Sequence, residues 1–378
     1  MTMSASAKKE TGMKIAQIAP LMESVPPRLY GGSERIASYL TEELVAQGHD
    51  VTLFASGQSI TAAKLVRCCE EPLRLSGVKD VIPYYMIMLD KVRSTACEFD
   101  ILHFHIDQFH FPVFRDIAHR TVTTLHGRQD LPDLHNLYRC FADMPLVSIS
   151  NAQRLPVSDA NFVATVHHGV PRDLTLTLEP RGGYLAFLGR ISPEKRADRA
   201  IAIARAAGLP LKIAAKVDRV DEVYFHAEIE ALLHQPGVEF IGEIDDRHKN
   251  AFLGQARALL FPIDWPEPFG LSMIEAMACG TPVLAFGHGA VSEVIDEGVT
   301  GCIVHTMDEA IARLGAVLAL NRTRVRQRFE ERFTVARMAR DYVEVYRRLI
   351  GTRERREASI AASGRAANGN GHGERLAR

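Results

Sequence analysis

The sequence predicts an α/β protein with two doubly wound, Rossmann-like parallel-sheet domains. Short apolar runs alternate with amphipathic helical patterns along most of the 378 residues. The alternation lapses between residues 171 and 183 into proline, glycine and charged residues, and then restarts. The chain also exceeds the length at which one hydrophobic core is usual, so two domains are expected.

The first half begins with an apolar run at residues 14–19, which we predict to be the first strand. A long loop containing Gly31-Gly32 follows it. Apolar residues on one face then predict a helix from about Ser33 to a stop at Gly48. The remaining strands of this half are predicted at residues 51–55, 101–104, 122–125 and 146–149.

The second half repeats the pattern. Its first helix is predicted at residues 193–207, with Pro193 in the first turn and Gly208 as the C-terminal stop. The other helices are expected at residues 221–234, 245–256 and 270–278. Strands are predicted at residues 184–188, 211–216, 238–241, 258–261 and 282–285.

These patterns divide the chain into five segments. We predict a flexible N-terminus (residues 1–12), an N-terminal Rossmann-like domain (13–172) and a C-terminal Rossmann-like domain (173–334). A C-terminal helix (335–350) is expected to return to the first domain. A disordered tail (351–378) is predicted where Gly, Ser, Ala, Asn and Arg dominate.

Composition indicates a soluble protein with no strong charge bias. Hydrophobic residues make up 47%, charged residues 24%, and the net charge is −1, which argues against nucleic acid as a partner. The six cysteines form no Cys-x-x-Cys pair and are expected to be reduced thiols. The first 14 residues lack the apolar core of a signal peptide, and the longest apolar stretch, residues 81–89, is too short for a bilayer. The expected location is cytoplasmic.

One local charge asymmetry stands out near the C-terminus. Residues 322–357 contain twelve arginines and six acidic residues. Such a run could make a weak contact with an anionic membrane, although a solvated helix surface explains it as well.

Two carboxylates eight residues apart form the most informative motif. Glu267 and Glu275 are separated by a Pro268-Phe269-Gly270 turn and the start of a predicted helix. Gly270 allows close approach of an anion to the free N–H groups of the first turn. The pattern therefore predicts a sugar diphosphate, with a hydroxyl acceptor at each end. For either glutamate alone, a solvated surface position is the competing interpretation.

Two further motifs point to an anion. Arg190 and Lys195 follow the predicted strand 184–188, at the edge of an open α/β sheet where ligands bind. They could clamp a diphosphate, or be ordinary surface cations. Gly31-Gly32 opens a helix and could also approach an anion, although a plain N-cap at Ser33 is an alternative.

Histidines follow two strands of the first half. His126 ends the predicted strand 122–125 and can reach a ligand, although a structural role is the alternative. His103 and His105 alternate on one strand and His110 lies nearby, which raises a metal site as an alternative. The spacing is loose and carboxylate support is weak, so no metal is expected.

Other signatures are partial or missing. Gly287-His288-Gly289 imitates part of a dinucleotide fingerprint but lacks the third glycine, and the neighbouring Glu293 could contact a ribose or sugar hydroxyl. No Gly-x-Ser-x-Gly elbow or Walker loop occurs, which argues against α/β-hydrolases and P-loop enzymes.

Together the motifs resemble those of family-4 retaining glycosyltransferases of the GT-B fold (group 1 glycosyl transferases). The resemblance covers about residues 13–350 and is most specific in the second half. Where many members have Lys-Gly, this chain has Lys195-Arg196, which leaves the local turn open. More faintly, residues 13–20, 30–32 and 103–107 resemble a branch of UDP-glucose:tetrahydrobiopterin glucosyltransferases. The motifs that carry the main resemblance are Gly31-Gly32-x-Glu34, Gly189-Arg190-x-x-Pro193-x-Lys195, Glu267-x7-Glu275, Gly280-Thr281-Pro282-Val283 and Gly298-x-x-Gly301.

The resemblance implies roles for these residues. Arg190 and Lys195 would hold the diphosphate, Glu267 the donor sugar and Glu275 the ribose. Gly31 and Gly32 would cap the phosphates from across the cleft, and His126 would lie near the transferred carbon. The implied donor-binding residues are Gly31, Gly32, Arg190, Lys195, Glu267, Phe269, Gly270, Leu271 and Glu275, and the implied catalytic residues are His126, Arg190, Lys195 and Glu267.

The resemblance also implies retaining, front-face transfer of a hexose, with glucose from UDP-glucose as the first guess and no metal or other cofactor. The acceptor would be an unidentified small molecule, glycan or lipid. Neither glutamate is expected to be a nucleophile. Two alternatives stay open: a sugar phosphorylase on the same fold, and a non-catalytic nucleotide-sugar binding protein.

Overall fold

The computed structural model describes the backbone of residues 12–369 apart from Leu75, with side chains as far as Arg355. The first half forms seven strands: β1 (Lys14–Ile18), β2 (Asp50–Ser56), β3 (Lys64–Cys69), β4 (Ile101–Phe104), β5 (Thr121–Thr124), β6 (Leu146–Ser148) and β7 (Phe162–Thr165). The second half forms six: β8 (Leu185–Ile191), β9 (Leu211–Val217), β10 (Val238–Gly242), β11 (Ala258–Phe261), β12 (Val283–Phe286) and β13 (Gly301–Val304).

The strands form two separate parallel sheets. Their orders are β3-β2-β1-β4-β5-β6-β7 and β10-β9-β8-β11-β12-β13. In each sheet the order reverses at the first strand of that half, which is the switch point of a doubly wound fold. The predicted fold class is therefore confirmed.

Helices cover the sheets and connect the strands. In the first half they are α1 (Gly32–Ala46), α2 (Ile82–Thr95), α3 (Phe111–Phe114), α4 (Leu134–Cys140) and α5 (Asn151–Arg154). In the second half they are α6 (Ala197–Ala206), α7 (Glu222–Tyr224), α8 (Glu230–Leu233), α9 (Asp246–Gly254), α10 (Leu271–Ala278), α11 (Val291–Val294), α12 (Met307–Leu318) and α13 (Arg322–Arg332), followed by α14 (Val335–Gly369).

The central strands are apolar runs because helices bury both of their faces. Ile15, Ala16 and Ile18 of β1 have no exposed surface, and β1 pairs with β2 on one side and β4 on the other. Parallel sheets of this kind are stabilised by burial on both faces, which explains the near-continuous apolar sequence of their strands.

Three strands and two helix boundaries differ from the prediction. The strands β3, β7 and β13 were not predicted; β3 and β7 are edge strands with half-exposed residues, so their sequences lack a buried run. The helix expected from Pro193 begins at Ala197, after a turn. The helix expected at residues 221–234 is divided by a π-helical segment, Phe225–Ile229.

The last helix returns to the first domain, as predicted, but it is longer than predicted. Tyr342 and Tyr346 are fully buried against the first sheet, where their hydroxyls bond to Thr124 (2.7 Å) and His103 (2.7 Å). The helix continues through residues 351–369, where the sequence predicts a disordered tail. The Arg, Glu and Ala that dominate residues 353–363 favour a helix. Residues 1–11 and 370–378 lie outside the described residues.

Much of the arginine-rich run is used inside the molecule. Arg322 donates to the carbonyls of Ala256 (3.0 Å) and Gly254 (2.9 Å), which ties α13 to the second domain. Arg328 and Arg332 both pair with Asp296. None of the helices in the described residues is long and apolar enough to cross a membrane.

Candidate functional site

A cavity of about 590 Å³ lies between the two domains, at the carboxyl ends of both sheets. Its walls follow β4 and β5 of the first sheet and β8, β9 and β11 of the second. This is the edge at which open α/β sheets bind ligands. All ten predicted site residues line it: Gly31, Gly32, His126, Arg190, Lys195, Glu267, Phe269, Gly270, Leu271 and Glu275.

Two helix N-termini meet at this cavity. Gly31 precedes α1 and Gly270 precedes α10, and the first residues of both helices line the walls. Gly270 has φ of +90°, and a Cβ there would lie 2.5 Å from the Cε of Met273. This positive φ favours glycine at position 270. The free N–H groups of two first turns make the space between them suited to an anion.

Lys195 and Glu267 form an ion pair in the wall of the cavity that the second domain provides. The indole N–H of Trp265 donates to the same carboxylate oxygen over 2.9 Å. The Lys195 ammonium also lies 4.9 Å from the Trp265 ring centroid, a cation–π contact. Glu267 is 8% exposed. Its carboxylate is thus held in place by two donors, and the sequence indicated only one of them.

Arg190 lies near the end of β8 among three carboxylates. Its guanidinium is 2.5 Å from Glu194 and 3.5 Å from both Asp218 and Asp221. The two aspartates lie 28 and 31 positions further along the chain. Their distance in sequence explains why sequence reasoning did not include them. They orient the arginine toward the cavity that it lines.

The turn after Lys195 uses an arginine where glycine is common. Arg196 has φ of +54°, a left-handed conformation that costs about 1–2 kcal/mol for a non-glycine residue. Its guanidinium bonds to Asp198 (2.7 Å) and Asp264 (2.8 Å). These bonds hold the strained turn, so the departure from the Lys-Gly pattern preserves the position of Lys195 in the cavity wall.

Glu275 belongs to a chain of alternating charges that crosses the cleft. Lys249 contacts Glu275 over 2.5 Å and Asp246 over 3.0 Å, and Asp246 pairs with Arg35 of α1. Glu275, Lys249 and Arg35 are 4%, 9% and 4% exposed. Burial lowers the pKa of the Lys249 ammonium, while Glu275 opposes that shift. Sequence reasoning missed Lys249, Asp246 and Arg35, because no local pattern marks them.

His126 is part of a histidine cluster. Its Nε2 lies 2.9 Å from His105 Nδ1, and its ring stacks on His168 with centroids 5.3 Å apart. Burial lowers the pKa of His126 to about 4, so the ring is neutral at neutral pH. His168 in turn contacts the ring of Phe269, with centroids 5.0 Å apart. The cluster therefore connects the first domain to Phe269 of the second domain.

The other histidines do not converge on a metal site. His103 bonds to Tyr346 and Thr124, whereas His110 bonds to Thr123 over 3.0 Å. Within the described residues, no group of three or more His, Cys, Asp or Glu side chains has an arrangement that could hold a metal ion.

Glu293 connects the domains and does not line the cavity. Its carboxylate accepts from the backbone N–H groups of Asn151 (2.8 Å) and Ala152 (2.7 Å), and lies 3.2 Å from His167. It therefore caps the first turn of α5 in the other domain. The suggested contact of Glu293 with a ribose or sugar hydroxyl is wrong.

The glycines beside it are structural as well. A Cβ at Gly289 would lie 2.3 Å from the backbone of Glu267, and Ala290 N–H donates to the Glu267 carbonyl over 2.9 Å. This loop supports the backbone of Glu267 from outside the cavity. Gly287, His288 and Gly289 do not line the cavity, so their resemblance to a dinucleotide fingerprint does not correspond to a binding site there.

Known proteins show the same family along both halves of the chain. The family model for glycosyl transferases group 1 matches residues 177–333, and that for glycosyltransferase family 4 matches residues 30–144. Phosphatidyl-myo-inositol mannosyltransferase of Propionibacterium freudenreichii subsp. shermanii is 27% identical over 351 residues. The match covers 82% of this chain and 87% of that relative.

Solved structures show the same fold. Sucrose-phosphate synthase from Thermosynechococcus elongatus is similar with a TM-score of 0.73 and 18% identity, over 90% of this chain and 100% of that one. Anabaena HepE, solved in complex with UDP and glucose, has a TM-score of 0.66 and 20% identity, over 88% and 99%. The two family models together match 272 of the 378 residues, so the chain is a glycosyltransferase that combines a family 4 N-terminal domain with a group 1 C-terminal domain.

Proposed function

We propose that this enzyme transfers a hexose from a nucleoside-diphosphate sugar to an acceptor hydroxyl, with retention of anomeric configuration. One observation carries the proposal: the N-termini of α1 and α10 meet at a cavity that Arg190, Lys195, Glu267 and Glu275 also line. Cations and N–H groups suit the diphosphate, and the two carboxylates suit the hydroxyls of sugar and ribose.

The proposed transfer occurs on one face of the sugar. Arg190, Lys195 and the backbone amides stabilise the charge that develops on the leaving diphosphate. The acceptor hydroxyl attacks from the face that the diphosphate leaves, and its proton passes to the departing phosphate oxygen. In this proposal Glu267 accepts a hydrogen bond from a sugar hydroxyl and is not a nucleophile, since its carboxylate already pairs with Lys195 and accepts from Trp265. Two protein cations in the site support transfer without a divalent metal or other cofactor.

The first donor to test is UDP-glucose. The Anabaena neighbour was solved with UDP and glucose, whereas the Propionibacterium relative is named for mannosyl transfer, so GDP-mannose is the competing donor. The acceptor panel should contain free polyols, glycans, phosphatidylinositol and tetrahydrobiopterin. Tetrahydrobiopterin is included because the faint sequence resemblance to that branch stays a prediction.

The test is release of nucleoside diphosphate from a panel of nucleotide sugars. Lys195→Ala and Glu267→Ala should each raise the barrier by more than about 2 kcal/mol, which lowers turnover by more than tenfold. Lys212→Ala is the matched control, because Lys212 forms an exposed pair with Glu239 away from the cavity. Wild-type turnover in the two site variants would exclude these residues from the site.

Product analysis separates the remaining alternatives. Proton NMR of the linkage formed from an α-linked donor should show the α anomer, and a β product would contradict retention. A phosphorylase would consume inorganic phosphate and release no nucleoside diphosphate. A binding protein would hold the donor without turnover.

We also propose a cytoplasmic location, with at most a weak contact with anionic membranes. All six cysteines are free thiols, which suits a reducing compartment. The internal pairing of Arg322, Arg328 and Arg332 leaves fewer cations for lipid than the sequence alone indicates. Sedimentation with phosphatidylserine vesicles at low and high salt tests the contact.

A further inference from the structure

A buried hydrogen-bond chain ends at His126. Gln17 Oε1 lies 2.8 Å from His105 Nε2, and His105 Nδ1 lies 2.9 Å from His126 Nε2. Gln17 is fully buried and His105 is 2% exposed. His126 lines the cavity, and its Nδ1 has no hydrogen-bond partner among the residues that the structure describes. The chain therefore leads from the interior of the first sheet to the proposed donor site.

The direction of each bond follows from the chemistry of the atoms. A carbonyl oxygen can only accept, so the Nε2 of His105 carries the proton that bonds to Gln17. Burial keeps both rings neutral, and a neutral imidazole has one protonated nitrogen. The Nδ1 of His105 is therefore a bare acceptor, and the Nε2 of His126 must donate to it. The Nδ1 of His126 is then left with a lone pair.

The amide nitrogen of Gln17 has contacts on the opposite side from His105. Its Nε2 donates to the hydroxyl of Tyr346 over 3.1 Å and lies 3.4 Å from His103 Nδ1, which leaves Oε1 facing His105. Tyr346 is fully buried on α14 and also bonds to His103. Tyr346 of the C-terminal helix thus orients the Gln17 amide, and the amide determines the tautomers of His105 and His126.

We infer that Gln17 and His105 are positioning residues that hold His126 as the Nε2–H tautomer, with its Nδ1 lone pair facing the cavity. In that state His126 accepts a hydrogen bond from a hydroxyl of the transferred sugar and donates none to it. This assignment rests on the proposed function of the cavity. A site that must accept from a hydroxyl rejects a donor that lacks the hydroxyl, so the relay determines donor specificity.

The tautomer is measurable without substrate. Two-bond ¹H–¹⁵N NMR of the full chain labelled at its 15 histidines distinguishes Nε2–H from Nδ1–H, and His126→Phe identifies the relevant signals. Wild type should show Nε2–H at His126, and Gln17→Met should lose this single tautomer. Thr123→Val is the matched control, because it removes a buried hydroxyl whose partner among the described side chains is His110, outside the chain of bonds from Tyr346 to His126.

The spectra decide the inference in either direction. Nδ1–H at His126 in wild type would overturn it, as would an unchanged tautomer in Gln17→Met or a changed one in Thr123→Val. The wild-type spectrum is decisive by itself if Gln17→Met does not fold.

Kinetics test the consequence for specificity. Among donors that each lack one sugar hydroxyl, one should lose about tenfold in kcat/KM with wild type and much less with Gln17→Met. Equal losses in both proteins for every deoxy donor would overturn the specificity role. If wild type releases no nucleoside diphosphate from any sugar donor, the proposed function fails, whereas the tautomer is still decided by NMR.

Discussion

Replacing Lys249 by methionine should destabilise the protein strongly. The ammonium lies 2.5 Å from Glu275 and 3.0 Å from Asp246, and Lys249 and Glu275 are 9% and 4% exposed. Methionine has a similar length, so the change removes the charge with little change in volume. Glu275 then keeps a buried charge without its cation. Removing one partner of a buried pair costs about 3–5 kcal/mol.

For Lys249→Met we expect the free energy of unfolding to fall by about 3 kcal/mol, the lower end of that range, because Arg35 remains to neutralise Asp246. For a domain of 150–250 residues this corresponds to about 6–12 °C in melting temperature. Lys249→Met, Glu275→Gln and the double variant should be compared by calorimetry. The double variant should recover most of the loss, since glutamine carries no charge. Binding of UDP should weaken in both single variants, because Glu275 loses its position or its charge.

A surface pair supplies the control. Lys212 lies 2.9 Å from Glu239, with exposures of 33% and 56%, so Lys212→Met should cost less than about 1 kcal/mol. If Lys249→Met costs no more than Lys212→Met, the buried chain of charges contributes nothing measurable. Additive losses in the double variant would likewise refute the direct coupling between Lys249 and Glu275.

Three further variants test other parts of the site. Gly270→Ala should lower the free energy of unfolding by about 2 kcal/mol and weaken UDP binding, because φ is +90°. Gly315→Ala is the control: it lies in the middle of α12 with open space around it, so its free energy of unfolding should rise by up to about 1 kcal/mol. Asp107→Asn should raise the free energy of unfolding by about 1–3 kcal/mol above pH 6, because burial raises the pKa of Asp107 from 3.8 to about 6. The gain should fade as pH falls toward 4, where the native carboxyl is protonated. A gain that does not depend on pH in urea titrations would contradict this origin. Glu293→Ala should cost about 1–2 kcal/mol in thermal unfolding through loss of the α5 cap, and an unchanged melting temperature would show that the contact is weak.

The buried strands and the main site motifs could be predicted from local sequence. Central parallel strands are apolar on both faces, so β1, β4 and β11 appear as short apolar runs. Ligands bind at the carboxyl edge of such sheets, so Arg190 and His126 could each be placed at the carboxyl edge of their own sheet from the strand pattern alone. Gly270 followed from the conformation that a helix start beside an anion requires.

The remaining parts of the site depend on distant pairings. Arg35 and Asp246 are 211 positions apart, and Lys249 and Glu275 are 26 apart. A buried ion pair leaves no periodic signal in sequence, and each of these residues alone resembles a solvated surface charge. The edge strands β3 and β7 were missed for a related reason, since partial exposure removes the apolar run.

The contacts of both glutamates agree with the proposed role in binding the donor. Glu267 accepts from Lys195 and Trp265, and Glu275 accepts from Lys249, so each carboxylate is held in a fixed position in the cavity wall. An ammonium has three donors, and Lys195 gives only one of them to Glu267. Under the proposed function, Lys195 can hold Glu267 and a phosphate oxygen at once, which would place the bond to be broken between them.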